Sequence, residues 1–319
     1  MTAITISRQN IEEAQRRIQP YINKTPVMSS SSLNAATGSD LYFKCENFQK
    51  VGAFKARGAL NAILSLTNKD RNKGVATHSS GNHAQAVAYA AGLLGIPAYI
   101  VMPKNAPEVK KKAVKDYGGK IVECLPTLEA RESTLREVIN DTGAIAIHPY
   151  DDEVIITGQA TAAKELFSQV ANLDVVVTPV GGGGLLSGTI LAAKYFSPAT
   201  KVYAGEPEGA NDAWKSLQEG KIIPSVAPNT IADGLLTSLG ILNFEIIRPG
   251  VEDILTVSDK LILEAMRWLW ERMKLVVEPS GAVPLAAVLK QPEIFQGKKT
   301  GIILSGGNVG LEGFFKKFI

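Results

Sequence analysis

Short apolar runs alternate with amphipathic stretches along nearly the whole chain, and that alternation leaves few folds open. The runs Leu41–Cys45, Gly74–Thr77, Ala98–Met102, Lys120–Cys124, Ala144–His148, Asp174–Thr178, Val202–Gly205 and Gly301–Leu304 read as strands. Helical patterns lie between them at His83–Leu94, Lys110–Tyr117, Ala130–Asn140, Gln159–Val170, Leu185–Phe196 and Ser258–Met273. Strands separated by helices of about 10–15 residues make βαβ units, which build mostly parallel sheets with helices on both faces. Val175-Val176-Val177 and Ile302-Ile303-Leu304 are apolar without interruption, the pattern of strands covered on both sides. The 319 residues give room for about two domains at ~150 residues each. No repeat, low-complexity tract or long linker marks a boundary between them.

Lys+Arg total 34 against 31 for Asp+Glu, and the basic residues are scattered apart from Lys110, Lys111 and Lys112. So small an excess argues against nucleic acid as a partner, and a short lysine run is ordinarily a solvated helix face. Cys45 and Cys124 cannot build a disulfide framework. His78, His83 and His148 show neither zinc-finger spacing nor H-E-x-x-H. Met1–Asn10 is polar and lacks the apolar core of a signal peptide. No apolar run reaches the ~18–20 residues of a membrane span. A reducing, cytoplasmic setting without a membrane partner is the expectation.

In open α/β sheets, ligands bind beyond the carboxyl ends of strands. Three segments hold that position: Ser79-Ser80-Gly81-Asn82-His83, Gly181-Gly182-Gly183-Gly184 and Ser305-Gly306-Gly307-Asn308. The glycine run is the sharpest. Bare backbone lets N–H groups approach an anion, and the following helix offers its positive end. The competing reading is a tight turn that needs positive φ. The G-x-G-x-x-G pattern fails because Leu186 and Ser187 stand where its last glycine belongs, and the P-loop fails because Pro292 precedes Gly297-Lys298. Nicotinamide and ATP-hydrolysing readings lose their main support.

Lys55 lies in Gly52-Ala53-Phe54-Lys55-Ala56-Arg57-Gly58-Ala59, among small and aromatic residues. A lysine there has its pKa lowered and suits imine-forming chemistry. The bland alternative is a lysine snorkelling at a helix edge.

These motifs, in this order and spacing, resemble the fold-type II pyridoxal-phosphate enzymes, and more narrowly the serine racemase and serine/threonine dehydratase family. The similarity runs from about Ile18 to Gly310. It implies a two-domain α/β fold like that of the tryptophan synthase beta subunit, with a large cofactor-binding domain (1–73 plus 151–319) and a small inserted domain (74–150). It implies pyridoxal 5'-phosphate held by Lys55, with Phe54 packed near the ring, Asn82 on the ring's 3' oxygen, Gly181, Gly182, Gly183 and Gly184 on the phosphate, and Ser305 at the pyridine nitrogen. Ser79, Ser80, Asn82 and His83 would receive the substrate carboxylate. The implied activity is β-elimination of L-serine or L-threonine to a 2-oxo acid and ammonia, with serine racemisation. A neutral serine at the ring nitrogen leaves charge at Cα poorly delocalised, which favours those two outcomes over transamination.

Other positions carry finer implications of the same resemblance. Ser80 supplies a hydroxyl opposite Lys55, as two-sided proton transfer requires; alternatively it only caps the helix at His83. Glu206, Ala210 and Asp212 match a divalent-cation site for Mg²⁺, Ca²⁺ or Mn²⁺, and by themselves read as an acidic surface turn. Arg131 matches a substrate-side arginine that could hold a second carboxylate, which opens L-threo-3-hydroxyaspartate as a rival substrate. It reads equally as a helix arginine paired with Glu132 or Glu129. Ser30, Ser31, Lys50, Gln85, Tyr117 and Asn308 match an activating ATP site at a homodimer interface. Tyr150, Gly281 and Leu235-Leu236-Thr237 depart from the racemase pattern. The length leaves no room for a C-terminal regulatory domain. A non-catalytic binding protein on the same fold is the remaining alternative.

Overall fold

The computed structural model describes residues 5–106 and 108–310. Its strands are β1 (Val27–Met28), β2 (Asp40–Cys45), β3 (Val75–His78), β4 (Ala98–Pro103), β5 (Lys120–Cys124), β6 (Ile145–Ala146), β7 (Val175–Pro179), β8 (Lys201–Pro207), β9 (Asp253–Val257) and β10 (Lys299–Leu304). They form two sheets, ordered β1-β2-β10-β7-β8-β9 and β5-β4-β3-β6. Every pairing is parallel except β1 with β2.

The expected strands all appear, most within a residue or two of the expected ends. Two were not expected. β1 is two residues long, and β9 places only Ile254-Leu255 between polar neighbours. β6 is shorter than the expected Ala144–His148, because the chain turns off into His148-Pro149. The helix expected from Gln159 begins at Glu153, where the Asp152 carboxylate accepts from the N–H groups of Val154 and Ile155. Such a cap satisfies donors that the helix leaves unpaired.

β7 and β10 lie at the middle of the larger sheet, buried on both faces between two apolar clusters. A third cluster backs the smaller sheet through Val75, Ala98 and Ile100. Ile18, Ala56, Leu60, Ile63 and Ile155 belong to that same cluster. The sheets therefore divide near residues 74 and 150, whereas the cores do not. The helix Lys55–Ser65 packs with the smaller sheet's core although its sequence precedes that sheet. Among the described residues, no helix is long and apolar enough to cross a membrane.

Candidate active site

Lys55 is the first residue of its helix, and two contacts hold that start against the end of β10. The Phe54 N–H donates to the Ser305 carbonyl at 3.0 Å, and Ala53 forms a β-bridge with Gly306. The Lys55 amine donates to the Pro149 carbonyl at 2.7 Å and stands 5.2 Å from the Phe54 ring centre. Desolvation brings its pKa down from 10.5 to about 8. A snorkelling lysine would keep its amine in water; this one, half-buried, turns it onto a carbonyl.

The segment after Pro149 reaches the glycine run. The Tyr150 ring lies so close to Gly182 that a Cβ there would overlap it, and a Cβ on Gly184 would lie 3.1 Å from Tyr150. A Cβ on Gly181 would lie 3.0 Å from the Leu235 Cα. Only Gly183, at φ +97°, needs glycine for its backbone angle. A turn alone therefore accounts for one of the four glycines, and close approach by Tyr150 and Leu235 accounts for the others.

Two helices begin at this site without a side-chain cap. Asn82–Leu93 follows Gly81, and Gly184–Phe196 follows Gly183. Ser80 does not cap the first of them, and the Ser79 hydroxyl accepts instead from the Gly81 N–H at 3.2 Å. Open helix starts of this kind are built to receive anions. Asn82 touches the third segment, donating to Glu278 at 2.8 Å and accepting from Asn308 at 2.9 Å. His83 is buried, with Nε2 3.1 Å from the Ile147 carbonyl, and burial sends its pKa well down, so the ring is neutral. Ser305 is buried at the end of β10.

A family model for pyridoxal-phosphate-dependent enzymes matches residues 18–306. The chain belongs to this family. Its relatives include a beta-hydroxyaspartate dehydratase of Paracoccus denitrificans, 51% identical over 299 residues, covering 94% of this chain and 95% of that protein. A serine racemase of Dictyostelium discoideum is 50% identical over 316 residues, covering 98% of each. The crystal structure of the Dictyostelium serine racemase superposes with a TM-score of 0.93 at 50% identity, covering 96% of this chain and all of that one. Pyridoxal phosphate suits what the site offers: an amine of lowered pKa for its aldehyde, and open helix starts beside a glycine loop for its phosphate.

Around these residues, Tyr150 and Asp151 do more than the sequence signalled. Asp151 accepts from the N–H groups of Ile241 and Asn243, which caps the helix Ile241–Gly250. Gly240 in turn donates to the Gly182 carbonyl at 3.2 Å. The segment from Pro149 to Asp151 therefore touches the lysine, the glycine loop and the helix behind it. The available signal was its position directly after a strand end. Gly281 also has a local reason, since a Cβ there would lie 2.8 Å from the Gly306 carbonyl.

Arg131 donates to the Thr127 carbonyl at 3.3 Å, while Glu132 faces Arg136 at 4.0 Å. Its charge reaches His78, whose pKa is lowered first by burial and then by Arg131. Glu206, next to last in β8, is fully buried, its oxygens accepting from the Ala213 and Trp214 N–H groups, both at 2.8 Å. Asp212 starts the next helix, and both its oxygens are buried without a well-formed hydrogen bond among the described residues. Burial raises Glu206 to about 8 and Asp212 to about 6. These two acids are not the exposed acidic turn that their sequence alone implied. No group of three histidine, cysteine or acidic side chains gathers as a metal centre among the described residues.

The six positions matched to a nucleotide are spread over several elements. Ser30 caps the helix Ser31–Thr37. Lys50 begins the turn Lys50–Gly52, against which Asn308 packs. Gln85 is buried in the helix Asn82–Leu93, and Tyr117 meets Tyr89 edge-on at 5.6 Å.

Proposed function

We propose that this chain eliminates the β-hydroxyl and the amino group from L-serine or L-threonine, giving a 2-oxo acid and ammonia, and that it also racemises serine. The observation that carries the reading is the Lys55 amine, with its lowered pKa, held on the Pro149 carbonyl one residue before the Tyr150 ring meets the glycine loop. Bound pyridoxal phosphate supplies a sink for the electron pair left when the Cα proton departs. The protein supplies the rest. Lys55 removes the Cα proton from one face. The open start of the helix at Asn82 receives the substrate carboxylate through backbone N–H groups, with Ser79 and His83 flanking it. For elimination the Cβ–O bond breaks as the hydroxyl takes up the proton that Lys55 removed from Cα and leaves as water; water then hydrolyses the released enamine, through its imine tautomer, to the 2-oxo acid and ammonia. For racemisation, the Ser80 hydroxyl serves the opposite face.

The purified protein is to be incubated with L-serine, L-threonine and L-threo-3-hydroxyaspartate while 2-oxo acid and D-serine are followed together. Both products from serine support the reading. No product from any substrate overturns it and leaves a binding protein on this fold. Ser80→Ala is expected to lower D-serine formation about 10²-fold or more, while 2-oxo acid formation changes less than about tenfold. Equal losses in both would remove Ser80 from the racemisation step.

One observation favours the hydroxyaspartate reading. Arg131 carries its charge beside His78, where it outweighs the opposite charge of its helix neighbour Glu132. An arginine fork suits a second carboxylate. On this reading Arg131→Ala raises KM for hydroxyaspartate more than tenfold and leaves KM for serine nearly unchanged.

Our reading also includes a divalent cation bound by Glu206, Asp212 and the Ala210 carbonyl. Two buried acids with pKa values raised by burial gain most from a hard cation with oxygen ligands. Millimolar Mg²⁺ should then raise the melting temperature of the wild-type protein and not that of Asp212→Asn; an equal rise in both would exclude this site. The homodimer, its ATP and the hinged closure of residues 74–150 complete the proposal. Sedimentation with and without ATP tests the first two, and domain orientation with a bound substrate analogue tests the third.

A further inference from the structure

We infer that Glu278 and Asn308, together with the strained turn at Val51, are positioning residues that fix the Asn82 amide as a hydrogen-bond donor toward the cofactor ring. The inference rests on the reading above, in which Asn82 faces the ring's 3' oxygen.

An asparagine amide has one accepting end and one donating end, and either can face a ligand unless neighbours decide. Here both ends have partners. Asn82 Oδ1 accepts from Asn308 Nδ2 at 2.9 Å, and Asn82 Nδ2 donates to Glu278 Oε1 at 2.8 Å. Turning the amide over would set oxygen against carboxylate and NH₂ against NH₂. These contacts fix which end of the Asn82 amide is which and leave one N–H and one lone pair of Oδ1 uncommitted; of the two, the N–H is the group that suits an anionic ring oxygen.

Asn308 is fixed in its own turn. Its Nδ2 also donates to the Val51 carbonyl at 2.7 Å, which uses both hydrogens, and its main-chain N–H donates to Glu278 Oε2 at 3.1 Å. Val51 has φ +55° and Gly52 has φ +67°. A β-branched residue in the left-handed region is strained, and such strain persists where surrounding contacts hold it. Those contacts are present: Gly307 donates to the Gly52 carbonyl at 2.9 Å, and a Cβ on Gly52 would lie 2.6 Å from Asn308 Oδ1. The strained turn thus aims its carbonyl at Asn308.

Glu278 completes the arrangement. It is 4% exposed, and a Cβ on Gly306 would lie 2.6 Å from its Oε1. Each oxygen receives one N–H, which the carboxylate form does best. Burial raises its pKa to about 7, Asp233 adds to the rise, and Asn82, Lys110 and Asn308 oppose it. With pyridoxal phosphate bound, a donor aimed at its 3' oxygen would favour the anionic form of that oxygen, and visible absorbance would report it.

The test uses Glu278→Gln and Asn308→Asp, both close in size to the residues they replace. Absorbance spectra of the holoenzymes and their cofactor dissociation constants are measured beside wild type and Asn82→Ala. Each variant is expected to lose visible absorbance to a near-ultraviolet band and to bind cofactor about tenfold more weakly. The double variant Asn82→Ala/Glu278→Gln should be no worse than Asn82→Ala, because both changes remove one donor. Wild-type spectra in both single variants, or additive losses in the double variant, overturn the proposal while the cofactor reading stands. A wild-type protein lacking any visible band that depends on Lys55 overturns both.

Discussion

Replacing Lys55 by alanine is expected to remove the visible absorbance of the bound cofactor and to lower turnover by about 10⁴-fold or more, since on the proposed reading it deletes both the covalent attachment point and the Cα base. Lys55→Ala that keeps its band would exclude this lysine as the attachment point. The same lysine predicts a pH effect in cofactor-free protein. Its pKa of about 8 in the fold lies below the 10.5 of an ordinary lysine. Capture of pyridoxal phosphate by the apoprotein should therefore accelerate with pH and level off above about 8, where a surface lysine would still be gaining. The stability sign follows from the same inequality. Unfolded chain binds more protons between these values, so the cost of holding Lys55 is complete below pH 8 and fades as pH rises toward 10.5. The difference of 2.5 (10.5 less 8) corresponds to roughly 3 kcal/mol. Lys55→Met apoprotein should accordingly be more stable than wild type at pH 7 by about 1–3 kcal/mol, and urea melts of the two apoproteins measure it. An active-site group that destabilises its own fold is the usual exchange of stability for function.

What the sequence made legible follows from the range of the forces involved. β5 matched its expected ends because alternation and apolar runs report local burial. The three strand-end segments were legible because glycine and small polar residues after a strand leave a local trace. Tyr150 over Gly182 was not, because 32 positions separate them (182 less 150) and no local pattern encodes the contact. Glu278 was passed over for a different reason. Acidic residues are rarely buried unless paired, so a glutamate next to proline reads as surface. Its partners Asn82 and Asn308 come from two other segments, and only the fold unites them. Taken alone, Glu206 and Asp212 also look like a solvated turn, and only the resemblance pointed to a cation site; both acids are buried.

Arg57, two residues after Lys55, carries the largest expected effect on stability. Its guanidinium is fully buried and grips Glu46 with both prongs, at 2.7 and 2.8 Å, while also meeting Glu165. Lys44 joins Glu165 at 2.9 Å, so two positive and two negative groups balance inside the protein. Burial pushes the Glu46 carboxyl up, but Arg57, Lys44 and Thr25 outweigh it and hold its pKa below 4.5. Arg57→Leu leaves Glu46 buried without its fork. Losing one partner of a buried pair costs about 3–5 kcal/mol, so the variant should unfold at clearly lower urea. Arg57→Lys keeps the charge without the planar fork and should fall between the two. Acid separates this account from a simple packing loss. In wild type the depressed Glu46 contributes stability above its unfolded pKa of 4.5, and that contribution is lost as pH falls through its lower folded value. In Arg57→Leu, burial raises the same carboxyl, so protonation relieves the fold as pH drops. The stability gap between the proteins should narrow between pH 7 and pH 4; a constant gap would reduce Arg57 to filling space. Because its helix begins with Lys55, the variant should also capture pyridoxal phosphate more slowly at equal fraction folded, which would tie the buried charges to the position of the Lys55 amine.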